Sequence, residues 1–194
     1  MKINDYEVWQ RLKKGDENAV TEIMRCYFAD LYKYSLKISK DSDLSKDYIQ
    51  EIFMEIWNKR AKLADVNYIK PYLFKSLRWR IIRGKMQESK IQSLLDYEVD
   101  IVFSYEDTLI QDQLWQEKKE NLLQAINQLS KRQREIIYLK FYEGLNYEQI
   151  AEIMGIGHQP LYNLLHKSLK TLREYLSASV SLMLWLLFSI FINN

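Results

Sequence analysis

Apolar residues recur at intervals of three and four along most of this chain, the spacing that gives a helix one buried face. The pattern predicts helices over residues 6–13, 17–39, 45–62 and 68–86. Asp16, Ser45 and Asn67 stand as N-terminal start signals, and Pro71 falls in the first turn of the last helix. From 88 to 113 the periodicity breaks. It returns over 115–129 and 131–141, where Ser130 suits the cap of the second helix and Gln133 its capping-box partner. Residues 145–172, LNYEQIAEIMGIGHQPLYNLLHKSLKTL, read as two short helices joined at Gly155-Ile156-Gly157. Asn146 suits the first N-cap. Ile150, Ile153 and Met154 form one apolar face, and Ala151 permits close approach. Gly155 fits a left-handed turn because it has no Cβ to clash. Pro160 fits the first turn of the second helix, where a missing N–H costs little. Leu161, Leu164, Leu165, Leu169 and Leu172 then repeat at helical spacing. A tight helix-turn-helix is a device for placing one helix in a DNA groove. An ordinary αα-hairpin in a helical core gives the same pattern, and both readings stand at this point.

The expected fold is all-α: two small helical domains, residues 1–87 and 114–176, joined by an acidic linker at 88–113 and followed by an apolar tail at 177–194. The 194 residues hold only 5 Gly and 2 Pro, which favours helices over sheet or disorder. The net charge of +2 says little about partners, but its distribution says more. Residues 59–90 carry ten Lys/Arg against two acids, Asp65 and Glu88. Residues 91–117 carry no Lys or Arg and seven acids. A basic block followed by an acidic one implies two different surfaces. The single Cys26 lies in an apolar helical pattern and reads as a small core residue, which fits a reducing compartment. The N-terminus has no apolar signal region. His158 and His166 have no Cys or carboxylate cluster around them, so no metal site is expected. The chain offers no phosphate-binding glycine loop and no nucleophile–base arrangement, hence no support for a cofactor or an enzyme.

Two further stretches carry chemistry. In DYIQEIFMEIW, Ile49, Phe53 and Ile56 share one side of a helix. Asp47, Gln50 and Glu51 fall on another, with Glu55 in the same run and Trp57 at the edge. Such a helix can dock another protein through its polar side, although a solvated charged face looks the same. Directly after it, Lys59, Arg60, Lys62, Asn67, Tyr68, Lys75, Arg78, Trp79 and Arg83 interleave cations with polar and aromatic groups. Cations neutralise phosphates and aromatic faces stack on unpaired bases, a combination suited to single-stranded nucleic acid. Leu73 and Phe74 are expected in the core, and at least one of Tyr68 and Trp79 at the surface.

In order and spacing, these motifs resemble the small two-domain extracytoplasmic-function (ECF) group of bacterial RNA polymerase sigma factors, over about residues 12–176. GDENAVTEIMRCYFADLYKYS is similar to the group's opening helices and YIKPYLFKSLRWR to the start of its minus-ten-reading helix. LSKRQREIIYLKFYEGLNYEQIAEIMGIG is similar to the lead into its minus-thirty-five-reading domain. The resemblance implies that Asp47, Gln50, Glu51, Glu55 and Trp57 dock on the coiled coil of the polymerase's largest subunit. It implies that residues 59–83 trap the melted non-template strand, that the linker threads toward the active-centre cleft and RNA exit path, and that the flap region is a further polymerase contact. It assigns minus-thirty-five reading to His158, Gln159, Tyr162, Asn163, His166 and Lys167. Many members of the group carry Asn where this chain has Trp79, an acid where it has Arg83, and Arg or Lys in the first turns of the recognition helix. Here the first cation of that helix is Lys167, while Gln and Asn suit adenine. Weak or A·T-leaning minus-thirty-five reading is therefore expected. The resemblance leaves open an anti-sigma protein, and a second DNA-targeting protein gripping the C-terminal domain, as further partners.

The tail VSLMLWLLFSIFI at 180–192 is an addition to that pattern. This nearly all-apolar stretch of thirteen residues falls short of the roughly twenty a helix needs to span a bilayer. Docking on a partner or on the chain itself is favoured over membrane association. The expected location is the cytoplasm, with the nucleoid, peripheral membrane association being the alternative.

Overall fold

A computed structural model describes residues 3–89, 98–103 and 116–176. The tail and most of the linker lie outside the described residues, and the expectations about them with it. Eight α-helices account for most of what is described: α1 (Asp5–Lys13), α2 (Glu17–Ser39), α3 (Ser42–Lys59), α4 (Ile69–Ser89), α5 (Gln116–Asn127), α6 (Lys131–Ile137), α7 (Tyr147–Met154) and α8 (His158–Tyr175). Among the described residues there is no strand, so the all-α expectation is met.

Local chemistry explains most helix starts. Asp16 accepts from the Asn18 amide and caps α2, as expected. Ser130 and Gln133 form the expected capping box on α6, and Asn146 forms a second one on α7 with Gln149. Two start signals differ. Asp41, not Ser45, caps α3 by accepting from the amides of Asp43 and Leu44 at 2.9 Å. Ser45 is instead buried in the first turn and donates to the Asp41 carbonyl. At α4 the Ile69 amide is taken by Asp5 of α1 at 2.8 Å, across 64 residues of sequence. The other Asp5 oxygen accepts from the half-buried Tyr27 hydroxyl, whose pKa burial and Asp5 push well up. Cys26 is partly exposed on α2 rather than buried in the core.

Helices α1–α4 bury Trp9, Leu12, Ile23, Leu31, Ile49, Leu73, Phe74 and Leu77 among them. Trp9 Nε1 donates to the Ala64 carbonyl at 2.9 Å and ties down the turn before α4. Gly84 lets α4 approach α3 closely, since a Cβ there would lie 2.1 Å from the Tyr48 hydroxyl. In the C-terminal half the expected helix over 131–141 stops at Ile137. A single π turn, Tyr138–Tyr142, follows and leads through Leu145 into α7. Gly155 is left-handed at φ 65°, as its position required, and α8 buries Leu161, Leu165 and Leu172.

The two halves form one continuous apolar core, with α4 packed against α7. The linker contributes to that core. Residues 98–103 form neither helix nor strand, and Val99, Ile101 and Phe103 are buried while Glu98 and Val102 face outward. Every second residue is the one buried, the period of a chain that alternates its side chains between two faces. The acidic composition of the linker therefore coexists with a buried apolar strip.

Candidate functional site

Helix α3 presents the two faces its sequence implied. Ile49, Ile52, Phe53 and Ile56 are buried against the bundle. Asp47, Gln50, Glu51 and Glu55 are exposed on the other side, joined by Met54 at 55% exposure. An unbranched, polarizable methionine on an outward helix face adapts well to a partner surface. Arg80 of α4 spans two of these acids, its guanidinium 2.6 Å from both Glu51 and Glu55. Lys59 also reaches Glu55, and its hydrogen bond holds the Glu55 carboxyl below its ordinary pKa. Trp57 is half-buried, with the Arg60 guanidinium 4.2 Å above its ring.

The basic run divides into groups exposed at the surface and groups engaged with the C-terminal half. Lys59 and Lys62, with Asn67 and Tyr68, lie exposed around the turn that enters α4. Trp79 is 48% exposed and Arg83 stands over its ring at 5.2 Å. Leu73 and Phe74 are wholly buried, as expected. Three further cations of α4, Lys70, Lys75 and Arg78, face the C-terminal half. Arg78 makes a two-point contact with Glu135, at 2.7 and 3.2 Å, and Tyr34 donates to the same carboxylate at 2.9 Å. Glu135 and Tyr34 have no solvent exposure. Burial, then Glu135, pushes the Tyr34 hydroxyl well above its ordinary pKa, so it stays a donor. Lys70 sits between Glu143 at 2.8 Å and Asp30 at 3.0 Å. Burial lowers its affinity for a proton, and these two acids outweigh burial and raise it. Lys75 meets Glu152 of α7 at 3.2 Å.

On α8, His158, Gln159, Tyr162, Asn163, His166 and Lys167 are all exposed, a single outward face beside the buried leucines. Gln159 donates to Asn163 at 3.2 Å, and Tyr162 packs on Tyr147 with ring centroids 4.7 Å apart. Lys140 lies 4.6 Å over the far ring of that pair, and burial lowers its pKa. It is a cation beside this face that no local motif singles out. Gly157 supplies no side-chain cap, so the first amides of α8 are open to an acceptor such as a phosphate. Also passed over were Arg80, Lys70 and the acids that hold Arg78, Lys70 and Lys75. Their pairing depends on residues 25 to 77 positions away in sequence, and no local motif announces it.

Comparison with known proteins places this geometry. Residues 119–172 match the family described as sigma-70, region 4. The chain is 27% identical over 163 residues to the ECF RNA polymerase sigma factor SigM of Bacillus subtilis (strain 168), covering 84% of this chain and 98% of that one. It is 25% identical over 148 residues to the RNA polymerase sigma factor SigV of the same organism, covering 76% and 85%. Among solved structures, CnrH in complex with the cytosolic domain of CnrY matches 91% of this chain and 99% of its own with a TM-score of 0.59 at 13% identity. RpoE in complex with the anti-sigma factor NepR, from Bartonella quintana, matches 81% and 96% with a TM-score of 0.53 at 21% identity. The fold is that of these sigma-factor structures, and the helix-turn-helix lies within the sigma-70 region 4 match. Along most of its length the chain is similar to ECF-type RNA polymerase sigma factors.

Proposed function

We propose that this chain is the promoter-selecting subunit of an RNA polymerase holoenzyme: it binds core polymerase, directs it to promoter DNA and assists strand opening. The sigma factors are not a family of enzymes, and the chemistry belongs to the polymerase. The exposed acidic and polar face of α3, with Asp47, Gln50, Glu51, Glu55 and Trp57, docks on the coiled coil of the largest subunit. Lys59, Arg60, Lys62, Asn67, Tyr68, Lys75, Arg78, Trp79 and Arg83 engage the melted minus-ten strand. The observation that carries this reading is the presence, in one chain, of that outward acidic helix, an adjoining basic and aromatic surface, and a sigma-70 region 4. Reconstitution with core polymerase on promoter DNA tests it: a specific transcript that depends on the chain is expected, and none would refute it.

The outward face of α8 supports a narrower proposal. Over residues 158–167 it offers Gln159 and Asn163, already aligned by a hydrogen bond, and no Arg. A bidentate amide suits adenine and Arg suits guanine. Minus-thirty-five reading is accordingly weak or A·T-leaning, and the C-terminal domain leaves room for an anti-sigma or DNA-targeting partner on the same face. Mapping of transcription start sites is expected to give a common minus-ten sequence and a poorly defined or A·T-rich minus-thirty-five one. A strong G·C-bearing minus-thirty-five consensus would overturn it.

The working location is the cytoplasm, with polymerase on the nucleoid. Among the described residues no helix is long and apolar enough to cross a membrane.

A further inference from the structure

We propose that linker residues 98–103 are a latch that keeps the free chain closed over its own DNA-binding cations, and that loading onto promoter DNA requires this segment to be withdrawn. The inference rests on the sigma-factor reading above and concerns how that activity is held off.

The first observation is occupancy. Of the α4 cations facing promoter DNA in that reading, Arg78 and Lys75 are engaged by Glu135 and Glu152 of the C-terminal half, and Lys70 beside them by Glu143. A cation paired with an internal carboxylate has no counterion to release on meeting a phosphate, and that release drives electrostatic DNA binding.

The second is reach. Elements named for positions minus ten and minus thirty-five lie about 25 base pairs apart, or roughly 85 Å at about 3.4 Å per pair. A single folded body of this size has a radius of gyration of about 16 Å. The closed arrangement cannot touch both elements, so the halves must separate on a promoter. A linker over 88–113 spans at most roughly 90 Å when fully extended, which is enough.

The third is the latch itself. Val99, Ile101 and Phe103 are 0%, 0% and 4% exposed, while Val102 between them is 40% exposed. The Val102 amide donates to the Lys37 carbonyl of α2 at 3.3 Å. Phe103 packs edge-on against Tyr138 and Tyr142 of the π turn, at 6.1 and 5.3 Å, with the Lys37 ammonium 5.9 Å from its ring. Asp100 pairs with Arg134 of α6. One short strip thus grips α2 on one side and α6 with the π turn on the other. A linker that only had to be long and acidic would need neither the buried alternation nor these contacts.

Three measurements on the full chain without polymerase test the latch. Small-angle scattering and binding of a labelled, mixed-sequence DNA single strand are compared for wild type, I101S/F103S and the outward-facing control V102S. The double variant is expected to expand and to bind the strand about tenfold more tightly, since apparent affinity scales with the fraction of competent molecules. V102S should match wild type. A double variant with wild-type dimensions and affinity and intact helical circular dichroism overturns the proposal. Hydrogen exchange on the wild-type chain covers the case in which the variant misfolds. Amides of 98–103 are expected to be protected, and exchange at the rate of an unstructured chain overturns the latch without any variant. Failure of reconstituted transcription would refute the sigma-factor reading and leave all three latch measurements standing.

Discussion

Replacing Glu135 with leucine is expected to cost the closed chain about 3–5 kcal/mol, the largest stability loss of any single substitution considered. The carboxylate is fully buried and serves two partners at once, Arg78 through two hydrogen bonds and Tyr34 through one. Taking it away leaves a mostly buried guanidinium and a fully buried hydroxyl with no acceptor there. The desolvation of both then goes uncompensated, and this is what makes breaking a buried pair costlier than never having built it. The loss falls chiefly on the contact between the halves, because Arg78 and Tyr34 belong to α4 and α2 while Glu135 belongs to α6. Denaturant unfolding followed by circular dichroism checks it. The double variant R78M/E135L should recover most of the loss, since an apolar pair of similar volume replaces the charges. A loss below about 1 kcal/mol for E135L would put the value of this network at that of an exposed pair.

The same network marks where sequence reasoning ran out. Helix positions follow from local information, and the bounds of α2 match the predicted 17–39. Caps at Asp16, Ser130 and Asn146 were legible because cap chemistry acts within three residues. The start of α3 was misjudged because Asp41, Ser42, Asp43 and Ser45 all have capping side chains, and only the backbone geometry selects Asp41. The cap of α4 was beyond any local rule, since its acceptor is Asp5. The exposed faces of α3 and α8 were legible because their buried partners repeat at helical spacing.

What the sequence hid was how its charges pair. Counting Lys and Arg from 59 to 90 suggested an open basic surface, but Lys70, Lys75 and Arg78 each find an acid in the other half of the chain. Formal charge along a sequence says where cations are, not whether they are free. The linker was misread for a related reason. Its acids dominate the composition, and the period-two run Val99, Ile101, Phe103 is interleaved with them. An alternation that short has little statistical force beside helices of twenty residues, although in the fold it joins both halves.

Charge reversal at Glu51 is expected to have the largest effect on activity. In the proposed docking mode the outward acids of α3 meet a complementary polymerase surface, and removing one partner of a charge pair buried at an interface costs about 2–5 kcal/mol, roughly thirtyfold to several thousandfold in affinity. E51K goes further than removal, since it sets a second cation against Arg80, which now bridges Glu51 and Glu55 at 2.6 Å each. That bridge gives the prediction a structural edge. Arg80 lies on α4, two residues from Arg78 and next to Trp79, so the acids proposed to meet polymerase also hold a cation that adjoins the proposed minus-ten residues. A polymerase group that takes over Glu51 and Glu55 releases Arg80 toward DNA, and docking and strand capture become coupled. The variant should fold normally, because the Glu51 side chain is 54% exposed and surface substitutions away from special features usually change stability by about 0.5 kcal/mol or less. Holoenzyme assembly and run-off transcription are the measurements, with R80A beside E51K. The coupled scheme expects R80A to assemble with polymerase yet open promoters poorly, whereas E51K should fail at assembly. Undiminished transcription by E51K would remove this face of α3 from the docking site.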